Sequence, residues 1–150
     1  MHVLDAIKSA EDKMHEHKDF FLCSCFVSIK EFSSVSEWIV IFYNPKNHTI
    51  VECTCNEGGV SASGESKAMQ EISLLDKDSL SKYEDYAIDK VKKDFSGVPM
   101  NILVSLHTKY NKTIWTISIV ARDFKITTYD IDASGGDVIR KDTSELVRRL

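Results

Sequence analysis

Two stretches of the chain alternate apolar and polar or turn-forming residues in the manner of paired strands, one led by Trp38 and one by Trp115. The first runs from Trp38 to Tyr43, turns at Asn44-Pro45-Lys46-Asn47 and returns from Thr49 to Cys55. The second runs from Ile114 to Ala121, turns near Arg122-Asp123 and returns from Lys125 to Asp132. A further strand-like run precedes each hairpin, Phe20 to Ile29 in one case and Ile102 to Leu106 in the other. An amphipathic helical run precedes each of those. Val3, Leu4, Ile7, Ala10, Glu11 and Met14 recur at steps of three and four, as do Ala87, Ile88, Val91 and Phe95. Ser81 and Glu84 have the spacing of a capping box for the second helix, and Gly97 and Pro99 supply its stop.

The Ala-Ile pairs of the two helical runs lie 81 residues apart and the tryptophans 77, the agreement expected of a diverged duplication. The pattern therefore predicts an α+β protein of two tandem α-β-β-β(-β) units, each a helix packed on its own antiparallel meander. The first unit is expected over residues 1–66, with an edge strand as far as 75, and the second over 76–150. A half of about 75 residues buries too little surface to stand alone, so the two should form one compact, two-lobed domain. Gly58-Gly59 and Gly64 mark a loop or linker, Met69 to Leu75 the extra edge strand, Val138-Ile139 a short last strand, and Thr143 to Leu150 a short helix or tail.

The second half resembles the PepSY family. The resemblance rests on Asp85-Tyr86-Ala87-Ile88-Asp89-Lys90-Val91, on the strand Trp115-Thr116-Ile117-Ser118-Ile119, and on the ending from Tyr129 through Asp132-Ala133-Ser134-Gly135-Gly136-Asp137 to Val138-Ile139. It implies a helix on an antiparallel sheet, an architecture whose duplicated form is similar to the β-lactamase inhibitor protein. It also implies a binding or inhibitory role and no catalytic residues or cofactor.

The 150 residues carry a formal net charge of -4, which argues against a nucleic-acid partner because phosphate binding needs a clustered basic surface. No apolar run approaches the roughly 20 residues that span a bilayer, and the amino terminus lacks the form of a signal peptide, so no membrane partner is expected and, if the chain is the full gene product, a cytoplasmic location. Cys23, Cys25, Cys53 and Cys55 could in principle hold a metal or sense redox state. In a meander, however, the Trp38 strand would separate the two pairs by roughly 10 Å, beyond a shared ion or a disulfide. No metal site is assigned, and buried free thiols are the simpler reading. His2, His15, His17, His48 and His107 are scattered, Asn47 and Asn111 are turn residues, and no phosphate-binding loop or nucleophile elbow occurs.

What remains distinctive is a strand apolar on both sides. Trp38, Val40 and Phe42 supply a core face, yet Ile39, Ile41 and Tyr43 make the other face apolar too, and the Cys23 strand alternates likewise. Ile39, Ile41 and Tyr43, with Cys23, Cys25 and Val27, form the candidate interaction face. The leading expectation is a noncatalytic protein-interaction module, inhibitor-like in kind, bound to a protein partner or a second copy. The alternatives are a small-ligand protein or enzyme with a pocket between the halves, and metal or redox sensing through the four cysteines.

Overall fold

The computed structural model describes residues 1–70 and 72–145. Helix α1 spans Val3–Met14 and buries the stripe Val3, Ala6, Ile7, Ala10 and Met14. Strands β1 (Phe21–Ile29), β2 (Glu37–Asn44) and β3 (Thr49–Asn56) follow. Gly59, at a φ of 135° that side chains rarely adopt, helps turn β3 directly into β4 (Gly59–Ala62), so the glycine-rich stretch is a hairpin rather than a linker. The two-residue β5 (Ser66–Lys67) pairs with the other end of β3. Helix α2 is Glu84–Asp94, and β6 (Pro99–Lys109), β7 (Lys112–Ala121), β8 (Lys125–Asp132) and β9 (Val138–Glu145) complete the chain. The expected edge strand at Met69 to Leu75 is not formed by its described residues. The last strand extends eight residues where two were expected, and residues 146–150 of the expected tail lie outside the described residues.

The expectation of two units, each with its own sheet, is overturned. The described residues form one nine-stranded antiparallel sheet, ordered β4-β3-β2-β1-β6-β7-β8-β9 with β5 beside β3. The joint is the pairing of β1 with β6, from Cys25 opposite Leu106 to Ile29 opposite Ile102. Left apart, β1 and β6 would each expose an unpaired edge; paired, they remove both and lie at the centre of the sheet.

Both helices cover the same face of this sheet and share one core. Cys53, Val40, Cys25, Leu106, Trp115 and Ile131 are successive cross-strand neighbours on that face, and every one is 0% exposed. Trp38 and Trp115 meet at 5.9 Å between ring centroids. Each indole N–H is satisfied by a carbonyl just ahead of a helix, Trp38 by Met1 at 3.0 Å and Trp115 by Lys82 at 2.8 Å, so the rings pin the helix entries as well as fill space.

Residues 74–82 cross one end of the sheet. Leu75 donates its N–H to the Leu22 carbonyl at 3.0 Å, and the amides of Ser81 and Lys82 both reach the Ala133 carbonyl, at 2.9 and 2.7 Å. Leu75 and Leu80 are buried in the core there. Glu84 does not close a capping box with Ser81. Its buried carboxylate accepts from the Val3 amide at 3.3 Å and lies 2.7 Å from His2 Nδ1, so it caps the other helix. The pairing holds His2 protonated to a higher pH than usual, chiefly through that hydrogen bond.

Candidate interaction face and its cavity

With both helices on one side, the other face of the sheet is left without helical cover. Its central row runs Thr54, Ile39, Phe26, Ser105, Thr116 and Asp130 across β3, β2, β1, β6, β7 and β8. The row is apolar over β1 and β2 and polar from β6 onward. Ile39, Phe26, Ser105 and Thr116 are partly buried, whereas Asp130 is buried.

Of the candidate face, Ile39, Ile41 and Tyr43 lie on this helix-free side. Tyr43 is itself buried, its hydroxyl 2.7 Å from His48 Nδ1. Cys23 joins them, but Cys25 and Val27 do not: both belong to the helix-covered core. The cause is a β-bulge. Leu22 pairs with Phe42 and the next paired residue, Ser24, with Ile41, so Cys23 is an extra residue that reverses the alternation expected from sequence. Ser24 and Phe26 take the places assigned to Cys25 and Val27, opposite Ile41 and Ile39.

The bulge also bears on the cysteines. Cys25, Cys53 and Cys55 sit in the core while Cys23 lines a cavity on the opposite face. Burial raises the titration of all four thiols, with Cys55 pushed up to about 11, so they are not poised as thiolates, the form that attacks or ligates. Among the described residues, the one group with metal-ligand spacing is His2, Glu84 and Asp85. Glu84 there is already engaged as a helix cap.

The polar half of the face is organised around Asp130. Its Oδ1 accepts from the Thr116 hydroxyl at 2.7 Å, and its Oδ2 from Lys109 Nζ at 3.0 Å and the Tyr110 hydroxyl at 3.1 Å. Burial alone would raise this carboxyl, but the hydrogen bonds from Thr116, Lys109 and Tyr110 outweigh it and keep the group ionised below its ordinary range. Thr116 Oγ1 is also 2.7 Å from His107 Nε2. Burial first, then the Lys109 charge, lower the His107 titration against the pull of Asp130, so the imidazole is neutral at pH 7. None of this network was read from the sequence, where His107 is one of five scattered histidines. The available signal was polar alternation within each strand, Ser105 with His107, Thr116 with Ser118 and Thr128 with Asp130, which is informative only once β6, β7 and β8 are known to be neighbours.

A cavity of about 380 Å³ opens on this face beyond the paired stretch of β1 and β6, between Cys23, Ser24, Ile41, Ile50 and His107 on the sheet and the segment after β5, which contributes Met69 and Ile72.

The molecule is thus of the α+β class, with one antiparallel sheet and helices on one side. It is similar in fold to the crystal structure of a protein from Clostridium difficile 630 provisionally called a lipoprotein. The TM-score is 0.59 at 15% identity, covering 96% of this chain and 93% of that one. Comparison with protein-family models and with curated proteins brings no match. Among the described residues, no helix is long and apolar enough to cross a membrane.

Proposed function

We propose that the protein is a noncatalytic interaction module that binds a protein partner on the helix-free face of its sheet, around Phe26, Ile39 and Ile41. The observation that supports this reading is the asymmetry of cover. β2 is apolar on both faces, and only one is closed by helices. An uncovered apolar patch with a polar neighbour is the composition of a binding surface. PepSY-like membership belongs to the same proposal. The residues that suggest it fall on α2, β7 and the β8–β9 turn. A cytoplasmic location is also part of it, while the neighbour of known structure is called a lipoprotein. Fractionation of the native host separates the two.

The interaction reading is tested by site-specific photo-crosslinking in that host. A benzoylphenylalanine at position 39 or 41 should give a discrete adduct that disappears when Phe26→Asp is added, while the same probe at Tyr83 should give none. Adducts of twice the chain mass, with a matching solution mass by light scattering, identify the partner as a second copy. The absence of any position-dependent adduct would sink the proposal.

A further inference from the structure

The apolar patch around Ile39 is bordered by carboxylates. Glu37 lies two residues before Ile39 on β2, and Glu52 of β3 stands opposite Ile41, two residues after it, so strand alternation puts all of these side chains on the helix-free face. Glu37 Oε1 accepts from Nδ2 of Asn56, its cross-strand partner, at 3.2 Å. Glu37 is exposed and Glu52 partly so, and no ion pair among the described residues includes either. Along the strand direction their rows are about 13 Å apart at the usual rise per residue, with Ile39 midway. Phe26 is the cross-strand neighbour of Ile39, and Leu103 of β6, 41% exposed, faces the same side diagonal to Phe26. Lys109 and Arg140 of this face lie on its polar half, paired with Asp130 and Asp142. A second copy docked patch to patch about a two-fold axis would bring both pairs of carboxylates into one contact with no cation of the patch to meet them.

We propose that the partner on this face is a different protein that presents a basic, apolar segment: apolar side chains against Ile39, Phe26 and Leu103, flanked by Lys or Arg that meet Glu37 and Glu52. This rests on the interaction reading above and adds to it the chemistry of the partner. The apolar centre supplies affinity, while the two carboxylates steer encounter and fix the register of the segment. The same pair repels nucleic acid and anionic surfaces.

The test uses the full chain in its native host with benzoylphenylalanine at position 39. Three double variants are compared: Glu37→Gln with Glu52→Gln, Glu37→Lys with Glu52→Lys, and Asp12→Lys with Glu16→Lys, the last changing net charge as much as the second at exposed positions near the end of α1. The adduct should fall about threefold in the amide pair and about tenfold or more in the reversed pair, and stay unchanged in the α1 pair. Tandem mass spectrometry should place Lys or Arg within a few residues of the attachment point on the partner. Should the reversed pair not fold, the amide pair decides. Undiminished crosslinking in the Glu37 and Glu52 variants, an equal loss in the α1 pair, a partner segment richer in acid than in base, or an adduct of twice the chain mass would each overturn the basic partner and leave the interaction reading standing. No adduct in the parent would remove both.

Discussion

The two faces of the sheet use the same six strands to different ends. On the helix side, the row from Cys53 to Ile131 is closed from end to end. On the other side, the row from Thr54 through Ile39, Phe26, Ser105 and Thr116 to Asp130 changes along its length, from apolar and partly open to polar and engaged. The closed face therefore carries the packing energy, and the open face is free to hold groups chosen for contact and hydrogen bonding. Within the open face the change falls at the β1–β6 joint.

The sharpest way to break this contrast is Trp115→Ala. It empties a fully buried site against Trp38 and orphans the Lys82 carbonyl, and should cost about 3 to 5 kcal/mol in urea unfolding. Asp130→Ala tests whether the open face has one structural residue of its own. Loss of the acceptor shared by Thr116, Lys109 and Tyr110 should cost about 2 kcal/mol by the same measurement. If Asp130→Ala proves as mild as a surface change, the polar half of the face is ornamental to stability.

A smaller effect separates two histidines by pH. His107 titrates below its ordinary 6.5, so its contribution is complete above that value and fades as the pH falls through it. His2 titrates above 6.5, so its contribution is complete below that value and fades as the pH rises through the folded-state titration. Thermal melts across pH should accordingly become flatter just below pH 6.5 in His107→Gln and just above it in His2→Gln, with the carboxylate and lysine regions unchanged. Smallest of all, Phe26→Ser and Ile39→Ser should change stability by no more than about 1 kcal/mol, since their side chains lie on the open face. A cost near that of Trp115→Ala would mean the face is closed after all.

The local elements were legible because periodicity is local. The Trp38 and Trp115 hairpins, both helices and the span Lys125–Asp132 stand where apolar spacing and turn residues put them. The sheet's continuity was not, because nothing near Cys25 or Val27 names Leu106 and Val104 as their neighbours; that match is decided by two free edges meeting. Cys23 shows a subtler limit. A strand with apolar residues at both parities gives no sign of a one-residue bulge, so Cys25 and Val27 were assigned to the wrong side. Glu84 likewise carried a helix-capping signature, but the helix it caps begins 81 residues earlier, at Val3. The candidate face was thus half visible, in Ile39, Ile41 and Tyr43, and its polar half became visible only through strand order.

The central joint between β1 and β6 has a kinetic consequence. β1 ends at Ile29, and its second neighbour begins only at Pro99, so β6 must follow β1 out of the ribosome across that whole interval before one side of β1 can find its mate. Until then the emerging chain presents an unpaired edge flanked by Cys25 and Val27, the hazard that makes distant strand pairing slow and prone to misassembly. Folding during synthesis should therefore be gated by the emergence of β6, with the first three strands held by chaperones or by their own hairpins in the interval.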